Sequence, residues 1–258
     1  MSDTVTRDDA GGVATLTLQR PGLSHALRGD LLAAVQAVGA DESVRAVLIT
    51  GTGRAFCVGQ DLAEHVESLR GNAETSLNVV ADEYNPLMVA LAALRVPVVV
   101  GINGACAGAG LGIALAGDLR IAAAGAKMTT AFIGIGLSSD SALAARLVHS
   151  VGASRATHML LMPEPFTAET AEQWGLVHRV VPAEQVLTEA QALAARLAAG
   201  PTAAYRGVKT VLATAATDSL EDTLALEARL QAELGRTADH REAVEAFLAK
   251  RAPEFTGR

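Results

Sequence analysis

The stretch "VPVVVGINGACAGAGLGIALAG", Val96 to Gly117, carries no charged residue over 22 positions. Whether it crosses a membrane or folds into a sheet settles the class of the whole chain. Taken whole it is long enough to span a bilayer. Gly104, Gly108 and Gly112 even have the small-xxx-small spacing of helices that pair in lipid. Pro97 and the Asn103-Gly104 pair argue the other way, because each interrupts regular structure. The segment then divides into a short buried strand, a turn and a buried helix.

The same design stands earlier in the chain. "GRAFCVGQDL", Gly53 to Leu62, follows the apolar run "RAVLITG". In both places a strand delivers small residues into a helix start. Such turns leave backbone N–H groups without partners, and the helix dipole adds positive potential there. Two of them on neighbouring strands can point two amides at one oxygen, which is the geometry of an oxyanion hole. The plainer alternative is a pair of ordinary strand-to-helix turns. "GAGLG" lacks GxGxxG spacing, and no acidic residue follows at the distance that holds a ribose.

Reading outward, Val13 to Leu18 alternates and is β-branched, so a strand is expected, ended by Arg20-Pro21. Leu31, Val35 and Val38 share a helical face, with Gly39 as its stop. Val44 to Thr50 reads as a second strand, and Asp61 opens a short helix. Val80, Tyr84, Leu87, Met88, Leu91 and Leu94 form a helical stripe over Leu77 to Leu94. Val98 to Ile102 is a third strand, Leu111 to Ala116 a helix and Asp118 to Ala123 a fourth strand. This alternation implies an α/β domain.

From Pro182 onward the texture is helical: Glu184 to Leu197, Thr202 to Ala213, Ser219 to Leu234 and Arg241 to Lys250. Asp218 with Glu221, and Asp239 with Glu242, read as capping boxes, and Gly235 as a helix stop. Leu220 and Leu224 form one stripe, and Leu226, Leu230 and Leu234 another. Two stripes on one helix call for burial on two sides, against the same domain or against another subunit. The expected organisation is an α/β core over 1–195 and a helical region over 196–258.

Composition limits the function. With 50% apolar and 19% charged residues the chain is globular rather than disordered. Aromatics are 3% of it, so Ala, Val, Leu and Ile must build the core. A net charge of −7 speaks against binding nucleic acid through its phosphates. No Lys/Arg cluster marks a membrane surface. Cys57 and Cys106 have no metal-ligand spacing and read as small core residues in a reducing compartment. None of the six histidines pairs with another at ligand spacing, so no metal is expected. The N-terminus has the form of neither a signal nor a transit peptide, and a cytoplasmic location is expected.

Seven segments, in order, carry a family resemblance. They are "LQRP…HAL" (Leu18 to Leu27), "GTGRAFCVGQDL" (Gly51 to Leu62), "LRVPVVVGINGACAGAGLGIALAGDLRIA" (Leu94 to Ala122), "IGLSSDS" (Ile135 to Ser141), "AEQWGLVHRVVP" (Ala171 to Pro182), "GPTAAYRGVK" (Gly200 to Lys209) and "RAPEFTGR" (Arg251 to Arg258). Together they resemble the crotonase, or enoyl-CoA hydratase/isomerase, superfamily over nearly the whole chain. The resemblance implies a crotonase-like spiral of ββα units and a C-terminal helical trimerisation region. It implies an acyl-CoA substrate, with coenzyme A entering as part of it and no separate cofactor. It also implies a homotrimer or a dimer of trimers.

In that family two backbone amides hold the thioester oxygen, and the matching positions are Gln60 and Ala109. Many relatives have glycine at the second, but alanine keeps the N–H. The resemblance further implies substrate or coenzyme A contacts at Arg20, Ala26 and Leu27. Others fall at Val58, Gly59, Asp61 and Leu62 in the first turn, and at Gly108 and Phe132. Arg20, Arg28, Arg54, Lys209 and Lys250 are the cations available for the phosphates. Asp61 has a second reading as a helix cap. His65 and Glu64 stand either at the acyl pocket or on the surface.

The departures are informative. Hydratases of this family activate water with two glutamates, and the matching positions here are Gly112 and Phe132. One carboxylate remains nearby, Asp140. It reads either as the cap of a helix starting at Ser141 or as a proton-transfer base. The superfamily's ring-opened epoxyphenylacetyl-CoA isomerase-like members place an Asp there in "GLVPDSG" and share the "GQDL" form. Dehalogenase-like members use an Asp there as a nucleophile. This chain has Ser139 for the proline and Ala142 for the glycine of that motif. Three readings follow: an enoyl-CoA isomerase with Asp140 as base, a hydratase with altered water-activating groups, or an acyl-CoA-binding protein without turnover.

Overall fold

The computed structural model describes residues 3–258, so Met1 and Ser2 of the N-terminal segment lie outside it. The chain begins β1 (Val5–Ala10), β2 (Val13–Leu18), α1 (His25–Ala40), β3 (Ala46–Gly51), β4 (Ala55–Cys57) and α2 (Leu62–Gly71). A π-helical turn (Val80–Tyr84) runs into α3 (Asn85–Ala93), then β5 (Val98–Ile102), β6 (Ala105–Ala107), α4 (Ala109–Ala116), β7 (Leu119–Ala123) and β8 (Lys127–Thr129). A 3-10 turn (Phe132–Ile135) precedes α5 (Leu143–Leu161), β9 (Phe166–Thr167), α6 (Ala168–Gln173) and β10 (Arg179–Val181). Four helices close the chain: α7 (Val186–Ala198), α8 (Thr202–Thr214), α9 (Leu220–Leu234) and α10 (Ala238–Leu248).

Two sheets explain the spiral. The larger has six strands in the order β1-β2-β3-β5-β7-β10, and the smaller has four, β4-β6-β8-β9. Each turn lays one strand in the large sheet, one short strand in the small sheet, and then a helix. β3-β4-α2, β5-β6-α4 and β7-β8-α5 are three such turns. Within both sheets these successive strands pair in parallel. The aliphatic strands Val98–Ile102 and Ala46–Gly51 sit at the centre of the large sheet, and β5 is buried at every residue. Helix α7 crosses that sheet with Ala190, Ala194 and Ala198 inward.

The uncharged stretch therefore folds as strand, short strand and helix, and all of α4 is buried. Among the described residues no helix is long and apolar enough to cross a membrane.

Some expectations need correction. Gly39 does not stop α1, which continues to Ala40 and is capped at Asp41. The polar segment from Val5 forms a strand because it pairs as a hairpin with β2, a contact its alternation does not reveal. The three-residue strands β4, β6 and β8 are too short for a period-two signal. The C-terminal caps also shift. Ser219 caps α9, accepting from the Asp222 amide at 3.1 Å and donating to the Asp222 carboxylate at 2.7 Å. Thr237 caps α10. Asp239 instead lies buried and ties down the C-terminal tail through the Thr256 and Gly257 amides.

One close approach fixes the centre. A Cβ on Gly110, in the first turn of α4, would stand 2.2 Å from the Cys57 carbonyl oxygen. Only glycine lets α4 lie directly on the end of β4. We expect Gly110→Ala to lower unfolding free energy by about 1–3 kcal/mol, although alanine is the better helix former. Urea unfolding measures this, and an unchanged or higher stability contradicts it.

Candidate active site

β4 and β6 are neighbours, so the bends that leave them are neighbours too. In the first, Val58 donates to the Pro21 carbonyl at 2.8 Å and Gly59 turns with φ +86°. In the second, Gly108 has φ +54° and donates to the Thr129 carbonyl at 3.1 Å. Both conformations suit glycine. The two bends touch. A Cβ on Gly59 would stand 3.2 Å from the Ala107 carbonyl oxygen and 3.6 Å from the Ala109 nitrogen. Gln60 follows one glycine and Ala109 the other. Among the described residues neither amide donates a backbone or side-chain hydrogen bond.

A cleft of about 640 Å³ opens over these bends. Of the residues expected to bind substrate, Val58, Gly59, Gln60, Asp61 and Leu62 line it from one side. Gly108, Ala109, Phe132 and Asp140 line it from the other. Arg20, Ala26 and Leu27 are not brought to the cleft. Arg20 and Ala26 are exposed, and Leu27 is fully buried in the core.

Asp61 caps α2, accepting from the Ala63 and Glu64 amides at 2.9 and 3.2 Å. Glu64 accepts from the His25 amide at 2.8 Å. His65 is half-buried beside Gln60, its Nδ1 3.4 Å from Gln60 Nε2, and does not reach the cleft. Arg28 is not free for a phosphate. It is buried, bonded to Glu83 at 2.7 Å and placed over the Tyr84 ring at 5.2 Å. Lys209 is held by Asp118 at 2.6 Å. Among the described residues no three His, Cys, Asp or Glu side chains gather as metal ligands would. Cys57 and Cys106 face each other across β4 and β6 as buried free thiols, and burial pushes Cys57 up to about 12.

Asp140 does not cap a helix at Ser141. Helix α5 starts at Leu143 after Ala142, and no side chain caps it. The Asp140 carboxylate accepts from the Ser141 hydroxyl at 2.7 Å instead. Burial in the cleft wall raises its pKa, and the Ser141 hydroxyl pulls weakly the other way. The two positions matched to water-activating glutamates are closed to that role. Phe132 is an aromatic wall. A Cβ on Gly112 would stand 2.7 Å from the Ser141 carbonyl oxygen.

Sequence reading missed the importance of Tyr84, which it placed in the core stripe. Tyr84 is buried yet lines the cleft, and burial raises its phenol pKa further than Arg28 lowers it. One of only two tyrosines, alone in an aliphatic stripe, was the available signal.

The family model described as enoyl-CoA hydratase/isomerase matches residues 8–258. A Rhodobacter capsulatus protein named "Probable enoyl-CoA hydratase" is 44% identical, covering 99% of this chain and 98% of its own. The Escherichia coli protein named "1,2-epoxyphenylacetyl-CoA isomerase" is 40% identical, with 96% of each chain covered. A crystal structure of a Mycobacterium abscessus protein assigned to enoyl-CoA hydratase/isomerase superposes with a TM-score of 0.97 at 50% identity, covering 98% of this chain and 100% of that one. The fold and site define a crotonase-type acyl-CoA enzyme. The chain belongs to the enoyl-CoA hydratase/isomerase family.

The raised pKa of Asp140 has a consequence for stability. A carboxyl raised on folding adds stability while protonated and loses it as pH rises through its folded value. We expect Asp140→Asn to be more stable than the parent at pH 7. The gain should vanish as pH falls below the ordinary value of 3.8. Urea unfolding across that range decides, and a pH-independent difference contradicts it.

Proposed function

We propose that the protein isomerises an enoyl-CoA by moving one proton within the substrate, with Asp140 as the base. One observation carries this reading: Asp140, a half-buried carboxylate whose burial raises its pKa, shares a cleft with two unpartnered amides from touching bends. The Gln60 and Ala109 N–H groups bind the thioester oxygen. Asp140 takes the proton from C2 of a 3-enoyl-CoA. The C–H electron pair forms C1=C2, and the thioester oxygen takes the negative charge of the dienolate. Protonation at C4 by the same carboxyl restores the C=O, leaves a C2=C3 double bond and regenerates the carboxylate. An unperturbed Asp is a weak base at neutral pH, and burial strengthens it.

Val58, Leu62, Leu77, Phe132, Ile135 and Leu137 supply the apolar part of the cleft that would hold the acyl chain. Substrate is an acyl-CoA thioester, and no further cofactor enters these steps.

Hydration is the second reading, favoured by the similarity to the Rhodobacter capsulatus protein. It would require Asp140 alone to activate the water that two glutamates handle in the family's hydratases. Acyl-CoA binding without turnover is the third outcome.

The C-terminal helices support assembly as a trimer or pair of trimers. Helix α9 buries no residue within the chain, and Leu220 is 69% exposed. Sedimentation giving a monomer at micromolar concentration would remove the assembly.

The activity test has three arms. Incubated with a 3-enoyl-CoA, the parent should generate conjugated-thioester absorbance and exchange C2 protons in heavy water. With crotonyl-CoA it should leave that band unchanged, and loss of the band would favour hydration. Asp140→Asn should lose about 10²–10⁴-fold in isomerisation. Ala109→Pro should lose about 10²–10³-fold, because proline removes one oxyanion donor. The helix should survive, since proline is accepted at its first position. Equal rates for Asp140→Asn and the parent would sink the reading.

A further inference from the structure

We propose that Ser141, seated against the bare backbone of Gly112, is the positioning residue that aims the Asp140 carboxylate. The inference rests on the reading of Asp140 as base. It explains why the position of one water-activating glutamate is a glycine here.

Three observations converge. Ser141 is 1% exposed, and its hydroxyl donates to Asp140 Oδ1 at 2.7 Å. Its own backbone is left-handed, φ +52°, and Ala142 follows at φ +55°. Residues with a Cβ rarely hold that conformation, and two in succession must be held by their surroundings. Gly112 supplies the surroundings. A Cβ there would stand 2.7 Å from the Ser141 carbonyl oxygen and 2.8 Å from Ser141 Cβ. The turn closes when the Leu143 amide donates to the Asp140 carbonyl at 2.9 Å.

The consequence is directional. Ser141 occupies Oδ1, and among the described residues Oδ2 accepts no hydrogen bond, so Oδ2 is the oxygen left to take a proton. The hydroxyl favours the charged carboxylate against the burial that disfavours it. Other ionisable groups share this wall. Tyr84 comes from the π-helical turn, with Arg28 of α1 over its ring and the buried Cys57 of β4 near it, and Asp61 comes from the head of α2.

Ser141→Ala and Ser141→Gly test this. Glycine removes the hydroxyl and accepts a positive φ without strain, so that variant keeps the fold. Both should lose about tenfold in kcat/KM for the 3-enoyl-CoA at acid pH. The loss should shrink as pH rises, because a base deprived of its donor titrates higher. In Ser141→Gly the Asp140 carboxyl carbon, followed by ¹³C NMR and identified by its absence in Asp140→Asn, should titrate above the parent's midpoint. Gly112→Ala, which never touches Asp140, should show the same acid-side loss. A loss equal at every pH, or an unmoved midpoint, overturns the role of Ser141 and leaves Asp140 as base. Undiminished exchange by Asp140→Asn overturns both.

Discussion

Two peptide bends can come within van der Waals contact only where neither carries a side chain at the point of approach. The cleft depends on that constraint. Gly110 lies under the Cys57 carbonyl, where a methyl group would be 2.2 Å away. A Cβ on Gly59 would stand 3.2 Å from the Ala107 carbonyl oxygen and 3.6 Å from the Ala109 nitrogen. Side chains at these points would push β4 and α4 apart. The Gln60 and Ala109 amides would then no longer border the same space. The parallel pairing of β4 with β6 sets the bends side by side, and the glycines set how close they come.

The same economy of side chains reaches the opposite wall. Gly112 is one helical turn along α4 from Gly108, within the same buried helix. Its bare backbone admits the left-handed turn at Ser141 and Ala142, and that turn delivers Asp140 to the cleft. A helix with an ordinary side-chain cap would have spent Asp140 on its own amides. Helix α5 instead begins without one, which leaves the carboxylate to Ser141 and to the cleft. Asp61 shows the contrast: its Oδ1 accepts from two amides at the head of α2.

The long aliphatic strands and the helical stripes were legible in the sequence because periodicity reports burial, and β5 and α4 fell where expected. The two glycine-rich turns were legible because small residues at a strand-to-helix junction have few other uses. What escaped was set by partners distant in sequence. Strand β1 is polar and exists through β2. Strands β4, β6 and β8 are three residues each and are defined by one another. Arg28 looked like a phosphate ligand until the fold brought Glu83 and Tyr84 to it from 55 and 56 positions away. Arg20, Ala26 and Leu27 were carried over by motif position. From the same segment Pro21 and Gly22 line the cleft.

The proposed reaction and the apolar lining reinforce each other. Water addition needs a nucleophile held in place and an acid to finish the step, and positions 112 and 132 offer neither. A proton moved between two carbons of one substrate needs a single carboxyl that alternates between base and acid. That carboxyl works best with a pKa raised toward neutrality, which is what exclusion of water does to Asp140. In the proposed reaction the same burial would strengthen the pull of two amides on the developing oxyanion. Polar groups added to wet the cleft would weaken the base and the oxyanion site together. The side chains of Leu77, Phe132, Ile135 and Leu137 line that cleft with apolar surface.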